Sequence, residues 1–386
     1  MMTDRRHFAD FLEPQKLQEA KEEYGFGDIQ AVEKFVLDCE IAYQMLDVLP
    51  DCFIKGGLAV PFHLKEDRFR RLSADVDMVT SRPKKDVEEA VGRIAAKCDW
   101  LTVKDPHVPK RRSKNLPLLT YYCKYRSVAA AAPEPSEIKL EIFYGNHMEQ
   151  ETHRTDPDIK IFGMQIDFGL QIFGREELIG DKLSTLPLKT IGVGARPGDM
   201  PKHIYDIATL LKAGCEDTTI TDVVSGFERA CREENSYFVD RSPPTYDEIL
   251  RDLVSSVRKT LDQSGLNRLD RSYKGRLGQF KKNLGGAGYA DRSHVTDILL
   301  VWTVAEMVRT MSEEDGRARD MSERLVSTLL DLRDTMEQKD GGRDHKRRKL
   351  LLDKHRDDAG RYGIIKNMEY EHALLYDNLV ELQSRS

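Results

Sequence analysis

The sequence predicts an α+β protein in which a mixed β-sheet with flanking helices is followed by an all-helical C-terminal domain. Short runs rich in β-branched and aromatic residues are concentrated between residues 53 and 168, which is typical of strands. Beyond Arg175 almost every stretch has apolar residues at helical spacing. A chain of 386 residues is long enough for two or three domains. We therefore predict one domain over residues 1–172 and a helical domain over residues 173–386.

The N-terminal part begins with an amphipathic helix from Ile29 to Leu46, with Asp28 as a candidate N-cap and Pro50 as the stop. Period-two patterns then predict four strands, with a helix among them. The strands are Val76–Thr80, Leu118–Val128, Ile138–Tyr144 and Ile161–Phe168, and the helix is Lys85–Cys98.

The C-terminal half shows only helical patterns. The predicted helices are Glu176–Leu186, Pro201–Lys212, Tyr246–Gln263, Ser293–Met311 and Ile364–Leu382, with a charged stretch before the last. Glycine and proline clusters predict joints at residues 241–244, 285–288 and 341–342.

Composition excludes several classes of protein. Hydrophobic residues make up 40% of the chain and charged residues 33%, which excludes a wholly disordered or collagen-like chain. The best apolar run, 298–308, is too short for a membrane span and carries Glu306, and the N-terminus lacks a secretory signal. The six cysteines are widely spaced without a C-x-x-C pair, so neither a zinc site nor a disulfide framework is indicated. We expect a cytoplasmic protein without a membrane partner.

A local basic segment contrasts with the net charge of −6 for the whole chain. Lys104 to Arg126 contains seven lysines and arginines and one acid, Asp105. It is either a solvated loop or a surface that contacts phosphates, with Tyr121, Tyr122 and Tyr125 available to assist. A second basic run, 345–349, is interpreted as a solvated helix face because acids surround it.

Two short motifs carry the chemistry. Gly56 and Gly57 follow Lys55, and paired glycines let backbone amides approach a phosphate closely, with the end of the following helix adding positive charge. Asp75 and Asp77 are two residues apart in a predicted strand, so their side chains share one face. Two neighbouring carboxylates suit Mg²⁺, which binds carboxylates together with substrate phosphates. The combination predicts a metal and nucleotide site.

A third acid is available in the next predicted strand. Lys139, Glu141 and Phe143 alternate with apolar residues there, so Glu141 can complete the carboxylate cluster while Lys139 balances its charge or contacts phosphate. The alternative is an ion pair between these two side chains on a solvated face.

These motifs resemble the AbiEii/AbiGii-type nucleotidyltransferases, which share the DNA polymerase beta-like nucleotidyltransferase fold and include toxins of toxin–antitoxin pairs. The resemblance covers residues 30–214 and lies in the order of five motifs, each weak by itself. They are Phe53-Ile54-Lys55-Gly56-Gly57-Leu58-Ala59-Val60, Arg71-Leu72-Ser73-Ala74-Asp75-Val76-Asp77, Lys139-Leu140-Glu141, Gly180-Asp181-Lys182-Leu183 and Lys202-His203-Ile204-Tyr205-Asp206-Ile207.

The resemblance implies a mixed, nucleotidyltransferase-like sheet and a set of site residues. The implied metal ligands are Asp75 and Asp77, with Gly56 and Gly57 as part of the triphosphate cradle, Lys182 as a nucleotide-phosphate contact and Asp206 as a late polar residue of the site. We add Glu141 to the metal ligands and the catalytic residues, and Lys55, Arg71, Ser73 and Lys139 to the nucleotide-binding residues. Arg70 and Arg71 are either solvated loop charges or a contact to the triphosphate. An ion pair between helices is the alternative for Lys182 and Asp206. Leu58 stands where the family commonly has a hydroxyl residue, and Lys202-His203 stands where it has Arg-Asp.

The leading functional hypothesis is therefore transfer of a nucleoside monophosphate from an NTP to an acceptor hydroxyl, with Mg²⁺, or Mn²⁺ in its place. RNA, and specifically a tRNA 3′ end, is the favoured acceptor, and an antitoxin protein is the expected partner. A protein or small-molecule acceptor is the enzymatic alternative. A module that binds nucleotide without turnover is the alternative from another class.

Overall fold

The structure of the protein is a computed structural model. It describes residues 6–64, 71–107, 115–129, 135–145, 151–155, 159–192, 197–214, 218–239, 242–264, 271–286 and 289–311, together with Glu323, Ser327 and Asp353. The helices predicted beyond residue 311 and the predicted joint at residues 341–342 lie outside this part of the chain.

The chain divides into two compact units. The first unit comprises Met1–Leu178, Arg232–Pro243 and Gln279–Tyr289. The second comprises Ile179–Cys231, Pro244–Gly278 and Ala290–Ser386. The domain boundary after residue 172 stays a prediction.

A seven-stranded mixed sheet forms the centre of the first unit. The strands of the described chain are β1 Phe53–Lys55, β2 Asp75–Val79, β3 Leu101–Val103, β4 Leu118–Arg126, β5 Pro135–Phe143, β6 Thr152–Arg154, β7 Ile159–Ile161, β8 Met164–Ile166 and β9 Gln171–Phe173. Their order in the sheet is β3-β4-β5-β2-β1-β9-β6, and β7 pairs with β8 separately. The β2–β5 and β1–β9 pairs are parallel and the other pairs are antiparallel. This placement puts β2 at the middle of the sheet, between β5 and β1.

Helices flank the sheet and then continue alone. They are α1 Pro14–Tyr24, α2 Ile29–Val48, α3 Gly56–Ala59, α4 Lys84–Lys97, α5 Arg175–Ser184, α6 Met200–Ala213, α7 Ile220–Ser236, α8 Tyr246–Ser264, α9 Arg271–Lys281 and α10 Asp291–Met311. Short 3-10 turns occupy Val60–His63 and Pro197–Asp199. The predicted fold class, a mixed sheet followed by helices, is confirmed.

Local signals explain where α2 begins and ends. The Asp28 carboxylate accepts a hydrogen bond from the Gln30 amide at 2.9 Å, which satisfies one of the free amides of the first turn. The helix ends at Val48, just before Leu49 and Pro50. Its sheet-facing residues are buried, so α2 covers the sheet next to β2 and β5.

The predicted strand over residues 161–168 is wrong as a single element. Phe162 and Gly163 have φ angles of 53° and 77°, which turn the chain back on itself between β7 and β8. Glycine adopts this left-handed conformation without steric cost. The segment therefore forms half of a small hairpin. None of the helices in the described ranges is long and apolar enough to cross a membrane.

Candidate active site

The central strand β2 presents its two acids on one face of the sheet. Val76 and Met78 are fully buried on the opposite face, whereas Asp75 and Asp77 are only partly buried. Asp77 lies opposite Lys55 on one neighbouring strand and opposite Glu141 on the other. Strand alternation therefore places the two acids together, as predicted, and pairing with β5 adds the third.

Glu141 already has two partners in this arrangement. Lys139 Nζ donates to its Oε2 at 2.5 Å, and Thr120 Oγ1 donates to its Oε1 at 3.2 Å. The ion pair that was the alternative role for Glu141 and Lys139 is therefore present. It lies beside Asp77 and is not on a fully solvated face. Thr120 was not predicted as a site residue, because only the β4–β5 register places it next to Glu141.

The glycine turn lies directly against Asp77. Gly56 has a φ of +68°, and a Cβ there would lie 2.1 Å from Asp77 Oδ2. Only glycine fits this combination of left-handed backbone and close approach. The helix after the turn, α3, has four residues and continues as the 3-10 turn. The backbone amides of the turn, rather than a long helix, are thus what this motif offers to a phosphate.

Arg71 and Ser73 line the other side of the turn. A Cβ on Gly57 would lie 2.6 Å from Arg71 Nη2 and 2.8 Å from Ser73 Oγ. Ser73 also donates to the backbone carbonyl of Asp75 at 3.2 Å. The guanidinium and hydroxyl are therefore held within a few ångströms of the glycine turn, which is the placement that a triphosphate contact requires.

Two aromatic rings flank Lys55. Its Nζ lies 5.1 Å from the ring centre of Phe143 and 5.5 Å from that of Phe173. Such contacts stabilise the ammonium charge and restrict its motion. Phe143 lies on the strand face that was predicted to carry Lys139 and Glu141, whereas Phe173 was not predicted, because it reaches the site only through the parallel β1–β9 pairing.

The crowding of acids changes the protonation of Asp77. Burial, together with the charges of Glu141 and Asp75, raises the pKa of Asp77 from 3.8 to about 6, although Lys55 and Lys139 oppose the shift. Burial lowers the pKa of Lys139, but the hydrogen bond and charge of Glu141 more than offset this and raise it. Three carboxylates, those of Asp75, Asp77 and Glu141, therefore lie beside two lysines, Lys55 and Lys139, on this face of the sheet.

This excess of carboxylate charge suits a divalent cation. Asp75 and Asp77 supply hard oxygen donors, and Mg²⁺ typically uses one or two protein carboxylates. Within the described ranges, no cluster of three or more histidine, cysteine, aspartate or glutamate side chains is arranged as a complete metal site. The donor set thus fits an ion whose remaining ligands come from substrate phosphates and water.

Lys182 and Asp206 belong to the second unit and pair with each other. Lys182 Nζ lies 2.8 Å from Asp206 Oδ2, and both side chains are almost fully buried, at 3% and 1% exposure. Gly180, from the same motif, lets α5 approach α7, since a Cβ there would lie 2.3 Å from the Phe227 amide nitrogen. The motif therefore has a clear packing role.

Part of the predicted basic segment is described. Tyr121 and Tyr125 are buried at 3% and 5% exposure, so the expectation that they assist RNA binding is wrong. They lie opposite Leu140 and Ser136, on the other face of β4 from Thr120. Residues 108–114, which carry four of the seven basic side chains, lie outside the described part of the chain, as do Arg70 and the run 345–349.

A mixed sheet with an acid pair on its central strand beside a glycine turn is the arrangement predicted for a nucleotidyltransferase. Comparison with protein families assigns the same class: residues 47–283 match the family described as "Nucleotidyl transferase AbiEii toxin, Type IV TA system". The chain belongs to this family and is a nucleotidyltransferase. The family implies an NTP substrate and an antitoxin partner.

Other comparisons are weaker. Two crystal structures from Helicobacter pylori resemble the chain: JHP933, with 17% identity, 74% of this chain and 94% of that chain covered and a TM-score of 0.37, and a "putative nucleotidyltransferase", with 16% identity, 79% and 97% coverage and a TM-score of 0.36. Scores this low assign neither fold nor function. A comparison with curated proteins gives no match.

The two glycines allow a prediction about nucleotide binding. We expect Gly57→Ala to fold, because its new Cβ meets two side-chain ends that can move, yet to bind NTP several-fold more weakly because Arg71 is displaced. In Gly56→Ala the new Cβ would clash with the Asp77 side chain and the alanine would have a strained positive φ. The free energy of unfolding should therefore fall by about 1 kcal/mol or more. Calorimetric titration with NTP and thermal unfolding test both. Unchanged NTP affinity in a folded Gly57→Ala protein would remove this turn from the nucleotide site.

Proposed function

We propose that this nucleotidyltransferase is a toxin that transfers a nucleoside monophosphate from an NTP to a hydroxyl group of RNA, with a tRNA 3′ end as the acceptor and Mg²⁺ or Mn²⁺ as the cofactor. The observation that carries the proposal is the position of Asp75 and Asp77 on β2, in register with Glu141 and against the Gly56 turn. We place the reaction in the cytoplasm, where NTP and tRNA are available.

The transfer is a substitution at the α-phosphorus of the NTP. The acceptor oxygen forms a bond to this phosphorus, the bond to the bridging oxygen breaks so that pyrophosphate leaves, and the acceptor hydroxyl gives its proton to water. A bound divalent cation supplies positive charge that acidifies the hydroxyl and stabilises the leaving oxygen. Asp75 and Asp77 would hold the cation, and Glu141 is the candidate for a third ligand.

The remaining predicted residues bind the nucleotide. The amides of Gly56 and Gly57 cradle phosphate oxygens, and the Arg71 guanidinium balances their charge. Lys55, held between two phenylalanine rings beside Asp77, supplies a fixed positive charge on the same face. The roles of Lys182 as a phosphate contact and Asp206 as a polar site residue stay predictions, and the buried ion pair is the competing role for both.

A labelling experiment identifies the acceptor of the nucleotidyl group. The purified protein is incubated with Mg²⁺, each α-labelled NTP in turn and total RNA, and the products are separated into RNA, protein and small molecules. We expect label in the tRNA fraction and release of pyrophosphate, and no label with Asp75→Asn. If the label appears in protein or in a small molecule, that molecule is the acceptor and the proposed RNA acceptor is wrong. Absence of any label, with NTP binding intact, would favour a module that binds nucleotide without turnover.

A further inference from the structure

A basic cleft lies in the second unit, between α8 and α10. Its volume is about 370 Å³, and it is lined by Arg251, Val254, Ser255 and Arg258 from α8 and by Glu306 and Arg309 from α10. This volume is within the range of ordinary ligand sites. We propose that the cleft binds single-stranded RNA, with the arginines on its phosphates and a base against the guanidinium of Arg258. The inference rests on the proposed RNA acceptor.

The charges of the lining residues favour an anionic ligand. Three guanidinium groups and one carboxylate line the cleft, and Arg251 Nη2 also pairs with Asp247 Oδ2 at 2.6 Å, so these groups keep one net positive charge in a chain whose net charge is −6. Arg251 and Arg258 are seven residues apart, which is two helical turns and about 10 Å along α8. Both side chains therefore project from the same side of the helix, far enough apart to contact different phosphates.

A buried network fixes the position of Arg309. Its Nε donates to Glu306 Oε2 at 2.9 Å, and Trp302 Nε1 donates to Glu306 Oε1 at 3.2 Å. The Glu306 side chain is 3% exposed. A buried carboxylate that holds an arginine at the wall of a cleft restricts the guanidinium to few orientations, and this reduces the entropy lost when an anion binds.

Arg258 offers a stacking surface. Its guanidinium carbon lies 5.9 Å from the centre of the Trp302 ring, and Trp302 is 6% exposed, so the arginine is placed beside a buried indole. The Arg258 side chain is exposed, so a base can reach its guanidinium from solvent. Nucleobases stack on arginine planes as well as on aromatic rings. This feature favours RNA over an acidic peptide, which has no base to stack.

The test compares matched variants of the full chain. Arg251→Ala combined with Arg258→Ala removes two exposed cleft charges, whereas Lys259→Ala removes an exposed charge from the same helix outside the lining. Arg258→Lys keeps the positive charge but removes the planar guanidinium group on which a base can stack. Fluorescence anisotropy with end-labelled tRNA is measured over a series of salt concentrations, with thermal unfolding and NTP titration on each protein.

We expect the double variant to bind tRNA about tenfold more weakly and with a shallower salt dependence, by up to roughly 0.7 in the slope for each lost contact. Arg258→Lys should weaken binding while keeping the slope, and Lys259→Ala and all NTP affinities should stay near native values. Native-like tRNA affinity in the double variant would overturn the cleft assignment while leaving the RNA acceptor in place. Loss of antitoxin binding with tRNA binding intact would also overturn it, in favour of a protein ligand. Failure of the native protein to bind or label any RNA would overturn the acceptor itself.

Discussion

Asp77→Asn is expected to abolish nucleotidyl transfer and, at the same time, to make the folded protein more stable. The activity should fall by about 10³-fold or more, because the variant loses a ligand to the cation that the proposed reaction requires. Stability should rise because the carboxylate is costly in this position: burial and the neighbouring acids raise its pKa to about 6. Asn has almost the same shape without the charge.

The pH dependence of stability separates this effect from a simple packing change. An unfolded chain releases the Asp77 proton near pH 3.8, whereas the folded protein keeps it until about pH 6. The contribution of Asp77 to native stability should therefore fall as pH rises between these values, by an amount of the order of 1–3 kcal/mol, and stay lower above them. Asp77→Asn should lack this contribution, so the stability difference between the variant and the native protein should grow over this pH range. Thermal unfolding between pH 4 and 8 measures it.

Added Mg²⁺ gives a second readout. It should raise the unfolding temperature of the native protein more than that of Asp77→Asn, because binding to the folded state alone stabilises it. Glu137→Gln is the control, since this exposed acid is on the same strand as Glu141 but pairs with Lys104. Near-native transfer by a folded Asp77→Asn protein would contradict the assignment of the acid pair.

Asp38→Asn is expected to give a large gain in stability at neutral pH. Asp38 is fully buried in α2, and within the described residues no hydrogen-bond partner reaches either carboxylate oxygen. Burial raises its pKa well above 3.8, with Lys34 opposing and the charges of Asp75 and Asp77 adding to the shift. An unpartnered buried carboxylate is among the most unfavourable groups a core can hold, so the native protein must keep it protonated or accept its cost.

The sign of the pH dependence follows from proton binding. Above pH 3.8 the unfolded chain has released this proton and the folded protein retains it, so native stability falls by about 1.4 kcal/mol per pH unit until the folded pKa is reached. The advantage of Asp38→Asn should grow with pH at that rate. Urea unfolding at several pH values measures it. The control, Asp47→Asn, removes a half-exposed acid of the same helix that pairs with Lys97, and should change stability by less than about 1 kcal/mol. Equal pH slopes for the native and Asp38→Asn proteins would show that folding does not raise the pKa of Asp38.

Much of the fold was accessible from local patterns. Helical spacing with an Asp28 cap located α2 almost to the residue, because capping and amphipathicity are properties of neighbouring residues. Short strands were harder. β1, β3, β6 and β9 have three residues each, which is too few for an alternating pattern to stand out, and their place in the sheet comes from pairing with strands that are distant in the chain.

The candidate site, like the fold, was predictable from the sequence only in part. The sequence by itself determined that Asp75 and Asp77 share a face and that a glycine turn precedes them, since both follow from spacing along one segment. Only the tertiary structure decided that Glu141, Thr120 and Phe173 join them, that Tyr121 is in the core, and that Asp38 is buried without a partner. These contacts depend on register and burial between segments far apart in the chain. Strand register is set by the packing of the whole sheet, and the local spacing of residues carries no record of it.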